Sequence, residues 1–177
     1  LPQIGRTLRD HFAHVDAIGY ITTDNPRDAR WSLPRAEVCR RAATELGVPF
    51  QRFESPINER SDLPHGKIIN STVDAYLAFA KDKTNPLCVA GNDTMAGQIL
   101  NHMSQRGIAP PQGTLLFGYD NDIAERALNL STFDKDPATI AEAMQALYAH
   151  FLRDKKTAMA TSTMKMVHPK FIARSTT

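Results

Sequence analysis

The sequence predicts an α/β domain, namely a doubly wound, mostly parallel sheet that is covered by helices on both faces. Short apolar runs rich in strand formers, such as residues 86–90, recur along the chain. Segments with apolar residues at helical spacing, such as residues 137–152, alternate with these runs. Apolar strands are typical of parallel sheets buried on both faces, and the right-handed crossover rule leaves few other topologies.

The predicted elements follow one another in a regular alternation of helix and strand. The predicted helices span residues 4–12, 33–46, 67–79, 94–105 and 137–152. The predicted strands span residues 16–22, 48–53, 86–90, 114–117 and 163–167. The helical segments repeat apolar residues every three or four positions, whereas the strand runs are short and bounded by turn-forming residues.

Capping residues indicate where most of these helices begin and end. Ser32 is the predicted N-cap of the second helix, and Gly47 suits its left-handed C-terminal end. Asp93 is the predicted N-cap of the fourth helix. Asp136 and Pro137 predict the start of the fifth helix, because proline is favoured at the first helical position.

The composition is that of an ordinary globular domain. The 177 residues are 42% hydrophobic and 23% charged, which suits one domain with a sizeable core. A formal net charge of +2, without blocks of like charge, gives no footprint for a nucleic-acid backbone. No apolar run reaches the length of a membrane span, so no membrane partner is predicted. Two isolated cysteines make a reducing cytoplasm the expected location. The start at Leu1 is interpreted as a cut within a longer protein, which predicts an upstream domain.

Ligands of doubly wound sheets bind beyond the carboxyl ends of the strands, where three predicted strand–helix junctions should meet. The first junction carries Arg35, whose guanidinium group suits a carboxylate, a phosphate or a pair of vicinal hydroxyls. It also carries Trp31, which offers a stacking face to a ligand. Alternatively, Arg35 is an ordinary surface arginine, and Trp31 is a residue buried in the core or in an interface.

The second junction places Asn92 and Asp93 directly after a strand. The amide group of Asn92 can donate to and accept from a sugar hydroxyl or a base edge. Asp93 is better explained as a helix cap, because it stands at the positive end of the helix dipole. We therefore predict that Asn92 contacts the ligand and that Asp93 is structural.

The third junction places Asp120 after the strand that ends at Phe117. Its carboxylate could accept two hydrogen bonds from a diol, and the alternative is a turn-forming aspartate that bonds its own backbone. Arg35, Asn92 and Asp120 would together form a set that suits a polyol or a nucleoside.

The sequence lacks the patterns of common catalytic sites, so no enzyme activity is predicted. It contains neither a Gly-x-Ser-x-Gly nucleophile turn nor a glycine-rich phosphate loop. The histidines, including the pair His11 and His14, do not have the spacing typical of metal ligands. Cys39 and Cys88 lie in different elements and suggest neither a disulfide framework nor a zinc site. We therefore expect binding without catalysis, and neither a cofactor nor a metal.

Five motifs follow one another in a specific order. They are V-A-G-N-D-T-M-A-G at 89–97, R-G-I-A-P-P at 106–111, L-F-G-Y-D-N at 116–121, L-N-L-S-T-F at 128–133 and V-H-P-K-F-I-A-R-S-T at 167–176. In this order they resemble motifs of the LacI/GalR family of bacterial transcriptional regulators. The resemblance is strong from residue 87 onward and looser before it.

The resemblance implies a periplasmic-binding-protein-like subdomain. The family's effector contacts fall on Arg35, Asn92 and Asp120, and Trp31 is the candidate for a ring-stacking role. It implies crossover helices on the N-terminal subdomain side at residues 1–15 and 136–158, and a C-terminal effector-binding subdomain at 16–128 and 163–177. The DNA-binding helix-turn-helix domain is expected to be absent from this chain.

The function implied is the effector-sensing and dimerisation region of a repressor or activator. A sugar or nucleoside-like metabolite would control DNA binding by the missing N-terminal domain. Only that domain would contact DNA. The partner is a second copy of the chain, with residues 94–105 in the dimer interface. The alternatives are a solute-binding protein of a sugar transport system, against which the tail at 169–175 argues, and a fragment of a doubly wound enzyme.

Overall fold

The computed structural model confirms the predicted fold class and describes residues 2–56, 65–123, 126–153 and 169–177. Within those ranges the helices are α1 (Pro2–His11), α2 (Ala29–Leu46), α3 (His65–Ala80), α4 (Asp93–Gln105) and α5 (Pro137–Arg153), with a short 3-10 helix at Arg126–Leu128. The strands are β1 (Ala17–Thr23), β2 (Phe50–Ser55), β3 (Pro86–Ala90), β4 (Leu115–Tyr119), β5 (Ser131–Asp134) and β6 (Lys170–Ile172). None of the described helices is long and apolar enough to cross a membrane.

The six strands form one sheet in the order β2-β1-β3-β4-β5-β6. The neighbours from β2 to β5 are parallel, and β6 is antiparallel to β5. The sheet grows from β1 in both directions, because β2 pairs on one side of it and β3 on the other. Such a reversal of strand order opens a crevice at the carboxyl ends of the two strands beside it. The topology therefore places a crevice between β1 and β3.

The core consists of two apolar layers, one on each face of the sheet. Successive residues of a strand point to opposite faces, so Leu87 and Val89 of β3 pack with α1 and α2. Cys88 and Ala90 of the same strand pack with α3 and α4 on the other face. Burial on both faces explains why β3 is apolar at every position.

The boundaries of α2 show one error of prediction. The amide of Ser32 donates to the carbonyl of Asp28 at 2.9 Å, so the helix has begun before Ser32 is reached. The helix starts at Ala29 with Asp28 as the N-cap residue, and the prediction that Ser32 caps it is wrong. Gly47 ends α2 in the left-handed conformation, with a φ of 71°, as predicted. The predicted start of α5 at Pro137 is also confirmed.

Two strands were not predicted from the sequence, β5 and β6. Ser131 and Thr132 of β5 are polar, a composition typical of a turn, yet both are buried. Their hydroxyl groups find partners inside the domain, which makes burial of a polar strand possible. The strand predicted at residues 163–167 lies outside the described residues.

The first helix contributes to the core. Leu8 and Phe12 are buried in the layer that α2 covers, and the ring of Phe12 stacks on Phe117 of β4 with centroids 5.6 Å apart. To which lobe of a larger protein α1 and α5 belong stays a prediction.

Gly118 of β4 lies against the first turn of α4. A Cβ atom at Gly118 would lie 2.4 Å from Oδ1 of Asp93 and 3.1 Å from the Cβ atom of Ala96. Contacts this short require a shift of the helix or of the Asp93 side chain.

We predict that Gly118→Ala lowers the free energy of unfolding by about 1–3 kcal/mol, because it overpacks the contact between β4 and α4. Urea denaturation measures the change. Gly5→Ala is the control: the nearest atoms to its new Cβ lie at 3.7 Å, and an alanine within a helix should stabilise by about 0.5–1 kcal/mol. An equal loss in both variants would contradict the overpacking.

Candidate functional site

The carboxyl ends of β1, β3 and β4 form the edge of the sheet where the predicted site residues gather. Trp31 and Arg35 lie in α2, which follows β1, whereas Gly91 follows β3 and Asp120 follows β4. The parallel arrangement of these strands brings the three connections to the same edge.

Arg35 links the ends of two strands from a helix that follows a third. Its Nη1 donates to the carbonyl oxygen of Gly91 at 2.5 Å. Its Nη2 lies 3.4 Å from Oδ1 of Asp120, at the length of a weak hydrogen bond within an ion pair. The Arg35 side chain is 14% exposed, so most of this contact is shielded from water. Arg35 is therefore a part of the strand-end edge and not a solvated surface residue.

Two aromatic rings surround the guanidinium group. The Cζ atom of Arg35 lies 5.0 Å from the ring centroid of Trp31 and 4.3 Å from that of Tyr119. Cation–π contacts of this kind hold a cation in place without using its hydrogen-bond donors. Gly91 allows the Trp31 ring to approach, since a Cβ atom there would lie 3.0 Å from a ring carbon.

The Trp31 ring is fixed by the loop that enters α2. The indole Nε1 donates to Oδ1 of Asp28 at 3.2 Å. The other carboxylate oxygen of Asp28 accepts from the hydroxyl of Thr23 at 2.7 Å. Asp28 thus orients the tryptophan instead of capping the helix with its side chain.

Asp120 presents its carboxylate from a sharp turn after β4. Its φ of 107° lies in the left-handed region, which an aspartate adopts only where its surroundings hold it there. Its amide donates to the carbonyl of Phe133 at 2.9 Å, and this bond ties the turn to β5. Lys135, which directly follows β5, places its Nζ 2.7 Å from Oδ1 of Asp120. Sequence reasoning missed Lys135, because β5 was not recognised as a strand.

Asn92 is the N-cap residue of α4. Its Oδ1 accepts from the amide of Met95 at 2.8 Å, and its backbone is extended, as N-caps require. Asp93 is the first residue of the helix, so the prediction that Asp93 is the cap is wrong. Serine, aspartate and asparagine cap helices almost equally well, so the sequence N-D left the choice between neighbours open.

The Asp93 side chain has a different structural role, which is to accept two buried hydrogen bonds. It is buried, and its two oxygens accept from the hydroxyl of Thr132 at 2.7 Å and from the amide of Asp122 at 2.9 Å. Burial raises the pKa of this carboxyl above its usual value, although the two hydrogen bonds act against that rise. Asp93 thereby joins α4 to β5 and to the turn that carries Asp120.

Arg174 holds the same turn from the other side. Its Nη1 donates to the carbonyl of Leu130 at 2.5 Å, and its Nη2 donates to Oδ1 of Asn121 at 2.8 Å. The Nδ2 of Asn121 in turn donates to Asp134 at 3.0 Å. These bonds position the neighbour of Asp120 and were not predicted, although Arg174 lies within one of the five motifs.

The described residues include two cysteines and several possible metal ligands. No group of three or more His, Cys, Asp or Glu side chains is placed among the described residues to hold a metal ion. Cys39 and Cys88 are free and buried. Burial raises the pKa of the Cys39 thiol to about 12, so this thiol stays protonated at neutral pH.

The sequence model of one protein family, described as periplasmic binding protein-like domain, matches residues 11–177. The chain belongs to this family. No curated protein matches the chain significantly.

Solved structures with the same fold include three bacterial regulators. A ribose operon repressor protein from Lactobacillus acidophilus is 20% identical, with a TM-score of 0.65, and the match covers 93% of this chain and 56% of that one. A LacI family regulator from Arthrobacter in complex with lactose is 18% identical, with a TM-score of 0.67 and coverage of 99% and 61%. A LacI family regulator from Enterococcus faecium with bound ribose is 17% identical, with a TM-score of 0.68 and coverage of 99% and 60%.

The TM-scores of 0.65 to 0.68 establish a shared fold. The coverage shows that this periplasmic binding protein-like domain spans 56% to 61% of the length of those three chains.

Three of the residues predicted for the effector site meet in this domain. Arg35, Trp31 and Asp120 lie together at the strand ends. Asn92 follows β3 at the same edge, but its side-chain oxygen is engaged in capping α4. That any of the four binds an effector stays a prediction.

We predict that Asp93→Ala lowers the free energy of unfolding by about 1–3 kcal/mol, because Thr132 and Asp122 lose a buried acceptor. Asp93→Asn should cost less, since asparagine keeps one acceptor oxygen. Urea denaturation at neutral pH measures the free energy of unfolding of the wild type and of the two variants.

The Asp93→Asn variant should also change the pH dependence of stability. With its pKa raised by burial, Asp93 binds a proton more tightly in the folded domain than in the unfolded chain. Its contribution to stability is therefore lost as the pH rises above about 4. The variant lacks this loss, so its stability relative to the wild type should increase as the pH rises above about 4. A difference that does not vary with pH would contradict the raised pKa.

Proposed function

We propose that this chain is the effector-sensing part of a LacI/GalR-type bacterial transcriptional regulator. The effector is a small polar metabolite, a sugar or a nucleoside-like molecule. The observation that carries the proposal is the pairing of Arg35 with Asp120 across the carboxyl ends of β3 and β4, beside the rings of Trp31 and Tyr119.

This pairing has the chemistry that a polyol needs. A carboxylate accepts from two hydroxyl groups, whereas a guanidinium group donates to hydroxyl oxygens, so Asp120 and Arg35 complement neighbouring hydroxyls. An aromatic ring packs against the apolar face of a sugar or against a base. The side chains are held by the protein in advance, which reduces the ordering cost of binding.

Solved structures of the same fold support a sugar as the effector class. The regulator from Arthrobacter holds lactose, and the regulator from Enterococcus faecium holds ribose. The structural neighbours are regulatory or binding proteins, and we propose binding without catalysis for this chain as well. As a gene regulator it would act in the cytoplasm.

We further propose that a second lobe completes the binding cleft and packs against α5. Met144, Tyr148 and Leu152 are spaced four residues apart along α5 and are 65%, 63% and 58% exposed. Such a stripe is typical of a helix face that a partner surface covers. An effector held between two lobes would favour one lobe angle over the other and so control an N-terminal DNA-binding domain.

The dimer is also a proposal. Most apolar side chains of α4 pack against the sheet, and Thr94, Asn101 and Ser104 are among its exposed residues. This polar face is the part of α4 that remains for contact with a second copy of the chain.

A sugar-transport solute-binding protein, the alternative with the same fold, would bind a ligand but no operator DNA. Operator binding by the complete protein, released or promoted by its effector, separates the two functions.

We predict that Arg35→Ala or Asp120→Ala in the complete protein abolishes the response to effector while operator binding is retained. Each variant removes one half of the polyol-binding pair, and lost hydrogen bonds to charged groups typically weaken binding by about 1.5–3 kcal/mol each. Calorimetry with the inducing metabolite and an operator-binding assay measure the two properties separately.

The control for this pair is Arg41→Ala. Arg41 belongs to the same helix as Arg35, but its side chain is 70% exposed and pairs with Glu37. It should leave the effector response unchanged. Normal effector affinity in both site variants would show that the site is elsewhere.

We predict that Met144→Gln combined with Leu152→Gln lowers the free energy of unfolding of the complete protein by about 2–5 kcal/mol, if the second lobe buries both side chains. Glu142→Gln, at an exposed position of the same helix, is the control and should change stability by less than about 0.5 kcal/mol. Denaturant unfolding compares the proteins, and equal stabilities would contradict the covering of α5.

A further inference from the structure

Lys135 is a charged residue of the strand-end site that neither the motifs nor the proposed function includes. It directly follows β5, the strand beside β4. Its Nζ lies 2.7 Å from Oδ1 of Asp120, the same oxygen that the Nη2 of Arg35 approaches at 3.4 Å. Two cationic side chains from different elements therefore converge on a single carboxylate oxygen.

This arrangement leaves one positive charge uncompensated in the immediate contact. Arg35 and Lys135 each carry a full positive charge at neutral pH, and Asp120 provides one negative charge to both. Of the other carboxylates near this edge, Asp136 pairs with the cation of Lys170. Asp28, Asp93 and Asp134 accept from neutral donors and keep their charge, but in the described part of the chain none of them lies within ion-pair distance of Arg35 or Lys135. A ligand that approaches Asp120 thus meets two cations together with it.

The two cations differ in how firmly they are held. The Arg35 side chain is 14% exposed and is fixed by Gly91 and two rings, whereas that of Lys135 is 53% exposed. A lysine ammonium group sits on a flexible stem, and partly exposed ion pairs of this kind contribute little to stability. The Lys135 side chain can therefore move so that its ammonium group pairs with a ligand instead of Asp120, at a small cost in free energy.

We propose that Lys135 is a further effector-binding residue, and that Lys135 and Arg35 together select an effector that carries an anionic group as well as hydroxyls. The class is a phosphorylated sugar or a sugar acid, which share an anion beside a polyol. Asp120 and Arg35 bind the hydroxyls as proposed above, and Lys135 binds the anion together with the remaining donors of Arg35. This inference rests on the proposed function, since it assigns the ligand class of that site.

Matched probes test the charge selection by calorimetry on the complete protein at constant ionic strength. The neutral members are D-ribose and D-glucose, the phosphorylated members are D-ribose 5-phosphate and D-glucose 6-phosphate, and the acid is D-gluconate. Inorganic phosphate alone tests the anion without the polyol. An anionic sugar should bind at least about tenfold more tightly than its neutral partner. Whether a sugar phosphate or the sugar acid binds more tightly identifies the anionic group of the effector.

Three variants assign that preference to Lys135. Lys135→Gln should reduce the ratio of the affinity for the preferred anionic probe to that for its neutral partner by about tenfold, whatever it does to the neutral affinity itself. Lys135→Arg should retain the preference, because it keeps the charge. Lys81→Gln removes the same charge from an exposed position after α3, at the opposite edge of the sheet, and should have no effect.

Two results overturn the inference. One is a neutral sugar that binds at least as tightly as its anionic partner; if Arg35 and Asp120 are needed for that binding, the proposed function stands and only the charge selection fails. The other is the failure of Lys135→Gln to lower this affinity ratio for any anionic probe, including the case in which none of these anions binds the wild type. Loss of operator control by every metabolite would instead count against the proposed function.

Discussion

The guanidinium group of Arg35 joins α2 to the carboxyl ends of β3 and β4. It extends from α2, donates to the carbonyl that follows β3 and faces the carboxylate that follows β4. The rings of Trp31 and Tyr119 hold it from two sides. Because the group is largely shielded from water, its partners must stay in place to compensate its charge. The polar edge of the sheet is therefore organised around this one side chain.

The turn that carries Asp120 has a support of its own behind that edge. Asp93 bonds the turn and β5 from α4. The Arg174 side chain bonds Asn121 and the carbonyl before β5, and its amide donates to the hydroxyl of Ser131 in β5. Gly118 makes the approach of Asp93 possible, since a side chain there would occupy the space of its carboxylate. The left-handed backbone of Asp120 persists because these contacts fix the residues beside it.

Local patterns in the sequence predict the parts of this arrangement that depend on neighbours along the chain. Apolar runs and helical spacing located β1, β3 and α4, and the parallel-strand rule brought Arg35 and Asp120 to one edge. Long-range contacts decided the rest. β5 is polar because its hydroxyls bond Asp93 and the chain terminus, so it resembled a turn and Lys135 was overlooked. The choice of Asn92 over Asp93 as the cap depends on Thr132 and Asp122, which engage the aspartate from distant parts of the chain.

Trp31 is the only tryptophan in the sequence, and its place in the domain has a practical consequence. Its indole ring donates to Asp28 and lies against the cation of Arg35. Indole fluorescence depends on nearby charge and on the hydrogen bond of the ring nitrogen. When tryptophan is excited selectively, the fluorescence of this chain therefore comes from Trp31 at this edge of the sheet. The chain thus carries one tryptophan reporter at this edge, and displacement of Arg35 would alter its emission without any added label.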